Sequence, residues 1–204
     1  VETGMELHVL AGKTFTPGGN VTTTSTSTQS GAPGDVHIPA TATLNMGTNA
    51  LSVGGDYLNA GAFTKSATQT TTFTATGSGF QITPGGNNFA TLVFNGAGGT
   101  WNAQGATVAD ENLTITAGTL AMGANALTVG STGSSNSGNI KVASGQSLTQ
   151  SSGSTTTMLT SASGANCIGS NGASQAIIDA RVLDLAISLQ AQKPAARLGE
   201  ILIE

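Results

Sequence analysis

The sequence predicts an all-β fold built from short repeated strands: a parallel β-helix, or β-solenoid, with a β-sandwich as the alternative architecture. Three observations carry this reading. The first is an internal repeat. Thr43-Leu-Asn-Met-Gly-Thr-Asn-Ala-Leu-Ser-Val-Gly54 returns as Thr119-Leu-Ala-Met-Gly-Ala-Asn-Ala-Leu-Thr-Val-Gly130, an offset of 119 − 43 = 76 residues, with only Asn45/Ala121, Thr48/Ala124 and Ser52/Thr128 differing. The second is alternation of apolar and polar residues over short runs, the period of a strand. The third is punctuation of those runs by Gly, Asn and Gly-Gly corners. Coils of ~20–25 residues would make the 76-residue offset about three coils, and strands this short favour stacked coils over long antiparallel hairpins.

Taken in order, the chain opens with Met5, Leu7 and Val9 on one side of a strand and Glu6 and His8 on the other. Ala11-Gly-Lys-Thr-Phe-Thr16 follows, and Ser144-Gly-Gln-Ser-Leu-Thr149 repeats it weakly far downstream. Pro17-Gly-Gly-Asn20 is a turn, because Pro fixes φ and Gly and Asn tolerate positive φ. Thr-Pro-Gly-Gly-Asn recurs at Thr83 to Asn87. The hydroxyl-rich run Thr22 to Ser30 reads as a surface loop or insertion. Val36 and Ile38, Leu44 and Met46, then Leu51 and Val53 restore the alternation. Phe73 stands alone within Thr70 to Thr76. Phe80 and Ile82, Leu92 and Phe94, the single Trp101, and Val108, Leu113 and Ile115 lead into the second copy. Small residues at crowded corners allow close stacking, and Asn and Thr can form hydrogen-bonded ladders along the stack.

The C-terminal part differs in kind. Seven of the sixteen charged residues fall between Asp179 and Glu204, and Leu183, Leu185, Ile187 and Leu189 alternate strictly with polar or small residues. Ile201 and Ile203 continue the theme after a break at Lys193 to Arg197. We therefore divide the chain into a repetitive β domain, 1–175, and terminal strands, 176–204. The latter either cap the last sheet edge or pair with the exposed edge of a neighbouring subunit. In the second case the six apolar residues just named form the assembly site.

Composition narrows function by exclusion. Charged residues are 8% of the chain and the net charge is −4, so the clustered cations that neutralise nucleic-acid phosphates are missing. No apolar run reaches the ~20 residues of a membrane span. The single Cys167 forbids an intrachain disulfide and reads as a small structural residue. The chain begins at Val1 rather than Met, as a processed exported form or a fragment would. His8 and His37 lie far apart in sequence and read as structural. Asp110-Glu111 is too small an acidic cluster for a polysaccharide-cleaving site, and no loop has the carboxylate density that Ca²⁺ requires. The sequons at Asn20 and Asn112 are candidates for glycosylation. The Thr runs are too uneven for an ice-binding array.

The phrasing Thr43 to Asp56, followed by Asn59-Ala-Gly-Ala-Phe63, Thr91-Leu-Val-Phe-Asn-Gly96 and Glu111-Asn-Leu-Thr-Ile-Thr116, resembles the repeats of filamentous-haemagglutinin-like and autotransporter-type adhesins over residues 7–150. The resemblance implies a parallel β-helix passenger, export to the cell surface, a structural or adhesive role and no cofactor. The expectation is thus a non-enzymatic extracellular structural protein whose main partner is itself, in a filament, sheath or surface layer. The alternative is an adhesin fragment that binds glycans or other surface proteins.

Overall fold

The computed structural model describes residues 4–25, 33–131, 138–159 and 167–169. Every described element is a strand, and all but one of the pairings between them are parallel. The exception joins Gly4–Met5 to Thr24–Ser25. The all-β expectation holds, and the antiparallel hairpins of a sandwich are not what these residues form.

The chain visits three ladders in rotation. The first runs through Leu7–His8, Val36–Ile38, Tyr57–Asn59, Phe80–Thr83, the later parts of Thr91–Ala103 and Asn112–Ala121, and Ser147–Thr149. The second holds Thr14–Phe15, Thr43–Gly47 and Ala62–Lys65 in one sheet and Thr107–Ala109, Leu127–Val129 and Thr156–Met158 in another. Between those two sheets Phe89 bridges to Ala109, and Phe63 N donates to Asn87 Oδ1 at 3.1 Å. The third contains Val21–Thr22, Leu51–Val53, Thr70–Phe73, the early parts of Thr91–Ala103 and Asn112–Ala121, Asn139–Val142 and Cys167–Gly169. Along it the steps Leu51 to Thr71, Thr71 to Leu92 and Leu92 to Leu113 are 71 − 51 = 20, 92 − 71 = 21 and 113 − 92 = 21 residues. Longer steps, such as Val21 to Leu51 and Leu113 to Ile140, fall where the hydroxyl- and Gly/Ser-rich insertions lie.

The 76-residue repeat does not mark whole passes around these ladders. Its first copy places Leu44 in the second ladder and Leu51 in the third, whereas its second copy places Leu120 in the first and Leu127 in the second. What the motif encodes is a corner. Asn49 N donates to Met46 O at 2.9 Å and Asn125 N to Met122 O at 3.0 Å. Gly47 (φ 54°) and Gly123 (φ 56°) supply the positive φ that each turn requires. The Pro-Gly-Gly-Asn corners behave alike: 17–20 joins the second ladder to the third and 84–87 joins the first to the second. These two corners do the same geometric job, so one sequence solution serves either of them.

Asn side chains then staple each corner to its neighbour. Asn49 Nδ2 donates to Pro17 O (2.9 Å), Asn87 Nδ2 to Gly61 O (3.1 Å) and Asn125 Nδ2 to Ala103 O (2.8 Å). The expected side-chain ladder has a rung between Asn139 Nδ2 and Asn112 Oδ1, at 3.0 Å. Where the long strands bend from the third ladder to the first, backbone comes too close for side chains: a Cβ on Gly96 would overlap the Ala75 carbonyl.

The inward residues form one thin core. Its middle is aromatic: Tyr57, Phe73, Phe89, Phe94 and Trp101 are all essentially inaccessible. Phe73, isolated in the sequence among threonines, is the hub. It stacks on Phe94 (centroids 5.1 Å apart, 11° between planes) and meets Tyr57, Phe89 and Trp101 edge-on. Tyr57 Oη and Trp101 Nε1 are buried with no partner in hydrogen-bonding geometry. Burial drives the Tyr57 phenol far above its ordinary pKa, and neighbouring Asn59 opposes that shift.

Replacing Phe73 by Ala removes the hub and leaves a cavity, and the expected loss is about 3–5 kcal/mol. Urea unfolding followed by Trp101 fluorescence measures it. A loss under about 1 kcal/mol would place Phe73 outside the aromatic centre.

Candidate assembly surface

The six apolar residues expected to form the assembly site, Leu183, Leu185, Ile187, Leu189, Ile201 and Ile203, lie outside the described residues, as does the whole segment 176–204. The described residues nonetheless present two ends of the ladders with unfinished surfaces.

At the first end, Leu7–His8, Thr14–Phe15 and Val21–Thr22 are the outermost strands of their ladders among the described residues. Each carries an inward apolar residue, Leu7, Phe15 or Val21, with a ladder neighbour on one side only. Phe15 is consequently 39% exposed although its partner Leu44 is fully buried. Met5 (64%) and Leu10 (68%) add apolar surface nearby, so every exposed large hydrophobic among the described residues belongs to this first pass. The Leu10 corner is held by Lys13 N donating to Leu10 O and by Gly12 N donating to Thr41 Oγ1, both at 3.0 Å.

At the other end, Leu148 and Met158 are half-buried against the core. A cleft of about 480 Å³ opens there, lined mainly by Ile140, Val142, Leu148 and Thr156. Leu148 occupies the same ladder as Leu7, and Met158 the same side of the stack as Phe15. Among the described residues the two ends therefore offer matching apolar faces and strands with a ladder neighbour on one side only, the features that permit pairing with another edge.

The outer face of the third ladder is rich in hydroxyls and amides. Thr22, Ser52, Thr72, Val93 and Thr114 follow one another in register, with Thr70, Thr91, Asn112 and Asn139 beside them. The Thr runs that looked uneven in the sequence are thus brought side by side by the ladder, interrupted by Val93 and followed by Lys141. A shallow cleft of about 210 Å³ on this face is lined by Thr22, Thr24, Ser52 and Thr74 among others.

The candidate acidic pair does not converge on a site. Asp110 faces outward, ion-paired to Lys65 and accepting a hydrogen bond from Asn88 Nδ2 at 2.9 Å, whereas Glu111 is 5% exposed. The two histidines, by contrast, are direct ladder partners, a proximity that no local sequence signal announces. Asn112 accepts from Asn139, and Asn20 Oδ1 accepts from Ala50 N at 2.9 Å, so both sequon amides hold neighbouring passes together. Cys167 lies in a strand in register with Asn139. Among the described residues no group of three or more His, Cys, Asp or Glu is placed to hold a metal, and no helix is long and apolar enough to cross a membrane.

One corner is built from carboxylates. Asp35 Oδ1 accepts from Asp56 N at 2.7 Å, and Asp56 Oδ1 accepts from Gln81 N at 2.8 Å, so each acid caps the next pass. Burial raises the Asp35 pKa; the Asp56 N–H bond opposes this, and the charges of Asp56 and Glu6 add to it. No protein-family model, curated protein or solved structure matches this chain.

Because the folded-state pKa of Asp35 is raised, its ionised form costs stability at neutral pH, and that cost disappears once the residue is protonated in both states, below the ordinary value of 3.8. Asp35→Asn keeps an acceptor for Asp56 N, and it is expected to raise the melting temperature at pH 7, with the gain shrinking as pH falls and gone by about pH 3. Thermal melts across that range check the sign. A variant less stable than the parent at pH 7 would mean that the hydrogen bond to the charged form outweighs desolvation.

Proposed function

We propose that the successive passes form a β-solenoid and that this chain is a non-enzymatic, extracellular structural protein. It assembles through its strand edges into a filament, sheath or surface layer. The observation that carries the reading is the first end of the ladders, where, among the described residues, three strands with a ladder neighbour on one side only coincide with the exposed apolar residues Met5, Leu10 and Phe15. A further pass of the same kind would bury Phe15, Leu7 and Val21 and extend all three ladders at once. The low charge supports this reading, since few like charges then stand to repel one another across a joint between strand edges. The engagement of Asp110 by Lys65 and Asn88, and the burial of Glu111, support a structural use of the one acidic pair considered for chemistry. In this proposal residues 176–204 are either the strands that join a neighbour or the cap that ends the stack.

The hydroxyl- and amide-rich face of the third ladder favours a second reading, an adhesin segment that binds glycans through that face.

Negative-stain electron microscopy of the purified chain over a range of concentrations separates the two. Assembly predicts filaments that Phe15→Asp abolishes while the far-ultraviolet circular dichroism is unchanged, and it predicts that deleting 176–204 leaves a folded β domain. If the deletion leaves filaments intact, the terminal strands are not the joint. Discrete short particles at every concentration, together with selective retention on a glycan array, would overturn assembly in favour of the adhesin reading.

A further inference from the structure

We propose that His8 and His37 form a two-imidazole binding site for a divalent transition metal with tetragonal coordination, Cu²⁺ foremost, on the outer face of the first ladder. The inference stands apart from whether the chain assembles.

The two residues are ladder partners in adjacent parallel strands, one rung beyond Leu7 and Val36. Their neighbours Val9, Val36 and Ile38 are buried, so strand alternation puts both imidazoles on the opposite, outer face. His8 is exposed and His37 half-buried. Backbone bonds bracket the pair: Leu7 N donates to Asp35 O at 2.8 Å and Val9 N to His37 O at 3.0 Å. A slip of one residue would turn His8 inward, so the register that buries the core also fixes the pair.

The ring centroids are 4.5 Å apart with the planes tilted by 45°. A metal bound about 2.0–2.1 Å from an imidazole nitrogen lies about 3.2 Å from that ring's centre. Two centres 4.5 Å apart then subtend about 90° at a shared ion. That is the cis angle of a square-planar or octahedral site, whereas a tetrahedral ion would need centres about 5.2 Å apart. Tetragonal nitrogen and oxygen coordination suits Cu²⁺ and Ni²⁺, and Cu²⁺ binds most strongly of the divalent series.

No third His, Cys, Asp or Glu among the described residues joins the pair as a ligand group, so water completes the coordination. Glu6 and Asp35 each lie two residues before one of the histidines, about 6–7 Å along the chain; the Asp35 carboxylate is turned onto Asp56 N, and both add negative charge in the neighbourhood of the cation. On the far side of His37 the ladder continues with Leu58. The ion would clamp the first pass, whose apolar residues are the most exposed, to the second. An ion that binds only where the two rings stand side by side stabilises the ladder that aligns them.

The test is titration of the full chain with Cu²⁺ at neutral pH in a non-coordinating buffer, read by calorimetry, electron paramagnetic resonance and thermal melting. The expected result is one Cu²⁺ per chain with two nitrogen ligands and a melting temperature that rises with Cu²⁺. His8→Ala and His37→Ala should each weaken binding at least tenfold and abolish both the two-nitrogen signature and the thermal shift. Both positions are outward-facing, and circular dichroism verifies that the variants fold. The double variant His8→Ala/Leu58→His rebuilds the pair one rung along, with His37 as partner, and is expected to restore the two-nitrogen signature. Cu²⁺ binding unaffected by either substitution, failure of the rebuilt pair, or tighter binding of Zn²⁺ than of Cu²⁺ would overturn the proposal.

Discussion

The constraint on which the rest of this structure depends is parallel register. Each pass of the chain lies directly on the one before it, so every inward residue must be compatible with the inward residue a pass away. Leu51, Thr71, Leu92, Leu113 and Ile140 form one such line, and Val53, Phe73, Phe94, Ile115 and Val142 another. A slip of one residue in any strand would exchange its inner and outer faces. Loop length can therefore vary between passes but strand phase cannot, and the start of the hydroxyl-rich run, expected to be a surface loop, is itself built into the sheets: Thr22 and Thr24–Ser25 are strand residues and Thr23 is buried.

The same constraint accounts for the composition. Neighbouring passes lie about 4.8 Å apart, so a charge on one faces whatever stands in the same place on the next. Neutral hydrogen-bonding side chains avoid the resulting repulsion, and Asn, Thr and Ser fill the outer faces and corners. Asn49, Asn87 and Asn125 staple corners by reaching a carbonyl of an adjacent pass. One pair of charges is matched across passes: Lys65 reaches Asp110, with Asn88 held by the same carboxylate. At the Asp35–Asp56 corner each carboxylate is engaged by a backbone amide of the following pass.

Much of this was legible in the sequence. Thr43–Gly47 and Leu51–Val53 lie where the alternation placed strands, and Pro-Gly-Gly-Asn marks corners at both of its occurrences. The phase of the repeat was not legible. Leu44 and Leu120 occupy equivalent places in the sequence motif but sit in different ladders, because the motif specifies a turn between two strands and serves both the first-to-second and the second-to-third corner. Nor does the sequence announce that Phe73 is the hub of the core or that His8 touches His37. Both facts arise from pairings across 20 to 30 residues, for which the local pattern around either partner carries no signal. The alternating run from Leu183 to Leu189 lies outside the described residues, and its part in the architecture rests on its sequence pattern.

The account turns on which residues lie side by side, and nuclear Overhauser contacts between backbone protons of neighbouring strands measure this most directly. It predicts parallel contacts linking Leu51 to Thr71, Thr71 to Leu92 and Leu92 to Leu113, and it places Leu120 between Trp101 and Leu148. Antiparallel contacts between successive strands, or contacts that put Leu120 in one ladder with Leu44 and Phe63, would contradict it.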